Sequence, residues 1–235
     1  MSLTKISINN FRCFKNVDLQ LSPGINFFFG KNGSGKTSIL ESVFIFSSGK
    51  SFKSSNLASL VNYENDKFTL KAYDNVKGYI VEIEKNKNKP ISVLLNNKKI
   101  TTSKLIKEFP CTPIHNNTFS FADASPDFRR KLLDRSIFIS EKSFSERWFS
   151  YYRSLKQRNS ILKNNRISDI YIWNSKLSDE GIKLNNMRNN FFTKTKNEFY
   201  YLIDLIQPSS VFDFFNLIEI NFFQGWDCLL YTSDA

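Results

Sequence analysis

Apolar residues near the N-terminus recur at every second position: Ile6 and Ile8, then Val17, Leu19 and Leu21. A period of two is that of half-buried strands, and Asn9-Asn10-Phe11-Arg12-Cys13-Phe14 connects the two strands it predicts. Ser22-Pro23-Gly24 leads into Ile25-Asn26-Phe27-Phe28-Phe29, an apolar run that predicts a third strand. Ile39-Leu40-Glu41-Ser42-Val43-Phe44 then begins a helix. Alternation returns at Phe68, Leu70 and Ala72, at Tyr79, Val81 and Ile83, and at Ile91 and Val93. Turn signals at Asp74-Asn75 and Asn96-Asn97 break these runs, so they predict an antiparallel meander. Hairpins on both sides of the first helix depart from a simple strand–helix alternation and point to a mixed sheet.

The second half of the chain has helical spacing. Ser125-Pro126 predicts a helix start, with serine as N-cap and proline at the first helical position. In that helix Arg130 stands four residues before Asp134, the spacing of a surface ion pair worth ~0.3–0.5 kcal/mol. Phe144, Trp148, Tyr151, Leu155 and Leu162 follow steps of three and four, as do Trp173, Leu177, Leu184, Met187, Phe191, Thr195, Phe199, Leu202 and Ile206. Two such seams, separated by the polar stretch 163–169, predict an antiparallel helical hairpin. Arg153, Lys156, Arg158, Lys163 and Arg166 make its first helix basic, which is most often simply a wet face. Pro208-Ser209-Ser210 stops the second helix, and Val211 to Phe223 returns to a strand-like pattern.

Between the predicted strand 25–29 and the first helix stands Gly30-Lys31-Asn32-Gly33-Ser34-Gly35-Lys36-Thr37, which fits the phosphate-loop pattern G-x-x-x-x-G-K-[ST]. Its glycines let the backbone fold around a β-phosphate with N–H groups inward, where a Cβ would obstruct. Lys36 is placed to reach the β- and γ-phosphates, and the Thr37 hydroxyl to ligate Mg²⁺. Ser38 follows in a first helical turn whose N–H groups and positive dipole end face the polyphosphate. The implied ligand is a nucleoside triphosphate with Mg²⁺, and Thr37 is the metal-ligating candidate. A glycine turn that happens to end in Lys-Thr is the bland alternative, and it does not account for the strand–loop–helix context.

A chain of 235 residues is long enough to bury a sizeable core without metal or disulfide. Cys13, Cys111 and Cys228 are odd in number and far apart, so neither a disulfide framework nor a zinc site is indicated. No apolar run approaches the ~20 residues that span a bilayer, and a reducing cytoplasm is the expected location. The formal net charge of +11 favours a polyanion such as DNA or RNA, although lysine-rich runs such as Lys85-Asn86-Lys87 are partly compositional. His115 is the only histidine, which excludes His-pair metal sites.

A phosphate-loop ATPase also needs an apolar strand ending in a Mg²⁺-holding acid, often with a second acid behind it. Tyr200-Tyr201-Leu202-Ile203-Asp204 is followed by Leu205 and continues the helical seam, so it is read as core with one exposed carboxylate. Val211-Phe212-Asp213 is too short, and no L-S-G-G-Q-like signature occurs. No catalytic residue is assigned in this chain.

Several strings in fixed order resemble the RecF family of bacterial DNA replication and repair proteins, within the SMC and ABC-type ATPase superfamily. They are Asn10-Phe11-Arg12, Leu21-Ser22-Pro23-Gly24-Ile25-Asn26 running into Gly30–Thr37 and Leu40-Glu41, Pro126-Asp127-Phe128-Arg129-Arg130-Lys131-Leu132-Leu133-Asp134, Leu155-Lys156-Gln157-Arg158-Asn159, and Gln224-Gly225-Trp226. The resemblance implies an α/β fold: a phosphate-loop ABC-type ATPase head with a mixed sheet and an inserted helical lobe, incomplete at the C-terminus. Residues 1–124 would be the N-terminal part of the head, 125–210 the helical lobe, 211–227 a strand returning to the head, and 228–235 a tail that fits neither. It implies ATP with Mg²⁺ as the bound nucleotide, an ATP-dependent homodimer on single-stranded and gapped duplex DNA, cooperation with RecO and RecR in loading RecA, a place in the SOS response, and weak ATPase activity in the full-length protein. Arg12 becomes a candidate near the nucleotide.

Lys50 and Lys53 stand where the family generally carries arginine, keeping charge but losing the bidentate grip on phosphate. His115-Asn116-Asn117-Thr118 replaces a proline–acid segment. The family's signature motif and acidic strand fall beyond residue 235, so the expectation is poor ATP binding and negligible hydrolysis by this chain. The alternatives are another SMC-like DNA-repair ATPase head and a non-hydrolysing nucleotide- or DNA-binding module.

Overall fold

Period-two alternation becomes sheet over most of the positions it marks. In the computed structural model, which describes residues 3–114, 125–164, 170–206 and 218–224, the strands are β1 (Lys5–Phe11), β2 (Phe14–Gln20), β3 (Lys67–Asp74), β4 (Tyr79–Asn86), β5 (Ser92–Leu95) and β6 (Lys98–Lys99). They form one six-stranded sheet in the order β2-β1-β3-β4-β5-β6, antiparallel at every described pairing. Directly opposed residues share a face, and the register sets Ile8 against Leu70, Ile6 against Ala72, Leu70 against Ile83 and Ile83 against Val93. That face is buried at these positions and half-buried at Val17 and Leu19 on β2. The opposite face carries cross-strand ion pairs, Lys71–Glu82 at 3.0 Å and Lys67–Glu84 at 2.7 Å. Asn96 and Asn97 turn the β5–β6 hairpin with φ of 47° and 63°, the left-handed conformation that asparagine tolerates.

Helices α1 (Lys36–Ser48) and α2 (Thr102–Glu108) supply the rest of this core: Ile45 and Phe46 from α1, Leu105 from α2, and Phe109 just beyond it. Leu60, at the end of a short 3-10 turn from Leu57, joins them, and Phe11 meets Phe68 edge to face at 5.1 Å.

Residues 25–29 differ from their sequence expectation. They form no strand and are not in the described sheet. Ile25, Phe27 and Phe29, which alternation would set on one face, are 78%, 84% and 94% exposed, so that face lacks the cover an apolar strand requires, while Phe28 on the other is half-buried. A strand is a property of a pair, and among the described residues none lies beside this one.

The chain divides into two compact units, residues 1–122 and 123–235. The second is helical: α3 (Pro126–Ser140), α4 (Phe144–Lys163) and α5 (Ile170–Ile206). Ser125 Oγ accepts the Phe128 N–H and Pro126 opens the helix, as the sequence predicts. Ile137, Phe144 and Leu184 are its buried centre, with Trp148, Tyr151, Met187 and Phe191 packed around them. The 37 residues of α5 span about 55 Å at 1.5 Å each. Thr195, placed in the apolar seam by its spacing, is exposed and bonds back to the Phe191 carbonyl at 3.0 Å. Tyr200 to Asp204 are helical and Asp204 is exposed.

The expected Arg130–Asp134 pair is not made. Asp134 turns inward and receives both Nε and Nη2 of Arg188 on α5, at 2.7 and 2.8 Å, while Arg130 lies 3.8 Å from Asp127. Of the strand-like stretch 211–223, residues 218–223 carry no regular secondary structure and 211–217 lie outside the described residues, as do His115 to Thr118 and residues 228–235. No helix among the described residues is long and apolar enough to cross a membrane.

Candidate nucleotide-binding site

Glycine at position 35 makes the junction between loop and helix possible. It is the N-cap of α1 with φ 90°, a conformation costly for any residue with a side chain. A Cβ there would lie 2.3 Å from the ring of Phe14 and 3.2 Å from the Cys13 sulfur, so the loop backbone is pressed directly against the β1–β2 connection. No side chain caps the helix, leaving the N–H groups of its first turn directed outward at the positive end of the dipole. At its other end α1 closes on Gly49, whose N–H bonds the Ile45 carbonyl at 2.8 Å.

Lys36 arches back over the loop. Its Nζ donates to the carbonyl oxygens of Gly30 at 2.8 Å and Lys31 at 2.9 Å. The ammonium is therefore folded back onto the loop backbone, where phosphate oxygens would replace the two carbonyls. Gly30, Lys31, Asn32, Gly33 and Ser34 are exposed, with the Ser34 N–H bonded to the Lys31 carbonyl at 3.2 Å. Thr37 is exposed on the first turn and Ser38 is half-buried beside it. Nine consecutive positions, 30 to 38, thus carry backbone donors, the ammonium groups of Lys31 and Lys36, and the hydroxyls of Ser34, Thr37 and Ser38. A helix N-terminus without a side-chain cap and a lysine folded back onto the loop are donors of the kind a triphosphate takes. Among the described residues no group of three or more His, Cys, Asp or Glu is placed to hold a metal. Thr37 would offer one hydroxyl to Mg²⁺, which ordinarily takes its remaining ligands from phosphate and water.

Arg12 is tied to the helix that follows the loop. Its Nε and Nη2 donate to the two oxygens of Glu41, each at 2.9 Å, and this hydrogen-bonded pairing raises the Arg12 pKa above its usual value. Glu41 is 1% exposed. Sequence reasoning assigned it no role; the signal available was a carboxylate at the start of an otherwise apolar helical run. Phe14 was missed as well, because its contact with Gly35 spans two segments that no local pattern connects. Lys50 and Lys53 are exposed on the connection after α1.

A family model described as AAA domain matches residues 5–221. The DNA replication and repair protein RecF of Shewanella frigidimarina (strain NCIMB 400) is 30% identical over 231 residues, 97% of this chain and 62% of that protein. Two solved structures of the recombination mediator protein RecF in the RecFOR pathway superpose on it. The one with ATPrS has TM-score 0.71 at 27% identity and the one with ATP has 0.70 at 26%, each covering 83% of this chain and 55% of the other. The chain spans about three-fifths of the length of the curated relative, and a little over half of the solved chains. The fold is accordingly the α/β phosphate-loop ATPase head of the ABC type, and the chain belongs to the AAA domain family as a relative of the RecF DNA replication and repair proteins.

Proposed function

We propose that this chain is the nucleotide-binding part of a RecF-type DNA replication, recombination and repair protein of the bacterial cytoplasm. In this proposal ATP with Mg²⁺ binds at Gly30 to Ser38, the full-length protein forms an ATP-dependent homodimer on single-stranded or gapped duplex DNA, and it assists RecA loading with RecO and RecR during the SOS response. The observation that carries the proposal is Lys36, held by two loop carbonyls over an uncapped helix N-terminus. When bound, the nucleotide supplies a cleavable γ-phosphate that separates a clamped from a released state. The chain's own contribution is to hold the phosphates with backbone N–H groups and Lys36, and to orient Mg²⁺ with Thr37.

Binding of a fluorescent ATP analogue is expected to strengthen with added Mg²⁺, and Thr37→Val should remove that dependence while leaving Mg²⁺-free binding in place. A variant that keeps the full Mg²⁺ response would take the metal away from Thr37.

For DNA, the exposed face of α4 is the surface this proposal uses. Phe149 and Tyr152 are 62% and 40% exposed, and Arg153, Lys156 and Lys163 are exposed along the same face. Aromatic rings that stack on bases, interleaved with cations that meet phosphates, are what single strands require. Arg153→Ala with Lys156→Ala should reduce the slope of log affinity against log salt by about 1.4 on single-stranded DNA, two phosphates at ~0.7 each. An unaltered slope would return these residues to the wet-face role.

A further inference from the structure

Glu41 is the one carboxylate in α1, and it is buried, yet it makes no bond within its own helix. Its two oxygens take Nε and Nη2 of Arg12, and the Ser51 hydroxyl donates to Oε1. These partners come from opposite directions along the chain, 29 residues before and 10 residues after.

Each partner governs a segment beside the phosphate loop. Arg12 sits at φ 56° in the β1–β2 connection, its N–H bonded to the Leu60 carbonyl at 2.8 Å and its own carbonyl accepting the Asn62 side chain at 3.0 Å. Two residues on, Phe14 is the ring pressed against Gly35. On the other side the Ser51 oxygen, while donating to Glu41, accepts the N–H groups of Lys53 and Ser54, both at 2.9 Å. One carboxylate thereby fixes the turn that backs the loop's last glycine and the bend that carries Lys53.

We propose that Glu41 is a positioning residue for the phosphate loop: its charge locks the Arg12–Phe14 turn and the Ser51–Ser54 bend to α1, and through them sets the affinity for nucleoside triphosphate. The affinity part rests on the nucleotide-site proposal above. Glutamine has the same shape but turns an NH₂ toward donors that need an acceptor, so Glu41→Gln removes the joint without opening a cavity.

The test compares wild type, Glu41→Gln and Ser51→Ala by amide hydrogen exchange without nucleotide, and by titration with a fluorescent ATP analogue against Lys36→Ala as the control. In Glu41→Gln the amides of Arg12, Lys53 and Ser54 should exchange about tenfold faster while β3 and β4 keep their protection. In Ser51→Ala only the bend should loosen. Affinity in Glu41→Gln should fall about tenfold, the value of one charge-assisted hydrogen bond. Unchanged exchange at both segments, or unchanged affinity in a chain whose binding does depend on Lys36, overturns the proposal. Uniform loss of protection across the sheet would make Glu41 merely structural, and Ser51→Ala then decides alone: an unmoved bend overturns the joint. A wild type with no Lys36-dependent binding instead overturns the nucleotide site, and is told apart because the exchange experiment contains no nucleotide.

Discussion

Lys36→Ala should weaken binding of a fluorescent ATP analogue by roughly 10- to 100-fold, the loss of charge-assisted hydrogen bonds worth ~1.5–3 kcal/mol. The Nζ holds two carbonyls of its own loop at 2.8 and 2.9 Å, so it is already folded back onto the loop. Alanine removes that positive charge and leaves the backbone cradle intact. The expected result is therefore a large affinity loss with little change in thermal midpoint, since the loop is exposed and contributes little to the core. Equal affinities in a direct titration would separate the loop from nucleotide binding and defeat the assignment of positions 30 to 38.

Arg188→Ala should destabilise the helical unit by roughly 3 kcal/mol, the low end of what breaking a buried ion pair costs. Asp134 and Arg188 are 12% and 14% exposed at the side chain and meet through two parallel hydrogen bonds. Removing the guanidinium strands a carboxylate between α3 and α5, where water reaches it poorly. Asp134→Asn with Arg188→Met should recover part of the loss, because a pair of neutral side chains leaves no unmatched charge. Urea unfolding followed by far-ultraviolet circular dichroism measures both. A loss below ~0.5 kcal/mol for Arg188→Ala would place the pair with ordinary exposed ion pairs.

The Asp134 result marks where local pattern stops being informative. Spacing of four offered Arg130 as its partner, and on an isolated helix that pairing would form. The tertiary structure presents Arg188, 54 residues away, whose planar fork matches both carboxylate oxygens, whereas Arg130 stays at the surface near Asp127. Arg12 follows the same logic. Its guanidinium is held by a buried acid on α1, and that pairing is visible only when β1, β2 and α1 are assembled.

Residues 25–29 show the opposite limit. Ile25, Phe27, Phe28 and Phe29 have every intrinsic preference for a strand, yet propensity describes fit to a pleated, covered surface, and cover comes from neighbours. With none beside it among the described residues, the run reaches the loop without regular structure, Ile25, Phe27 and Phe29 exposed and Phe28 half-buried. The meander had no such dependence: its strands are sequence neighbours joined by short turns, so pairing partners were specified by adjacency.

The sequence by itself determined what is local in this protein. Period two made the meander, Ser125-Pro126 started α3, and three glycines with Lys36 and Thr37 made a loop that has few other uses, because each depends on residues within a turn or two of one another. Only the tertiary structure decided which charge meets which: Arg12 with Glu41, Arg188 with Asp134, Phe14 against Gly35. Those choices rest on burial and on distances between segments far apart in the chain, and a hydrogen-bond donor excluded from water takes the acceptor that packing brings to it, whatever acceptor lies nearest in sequence.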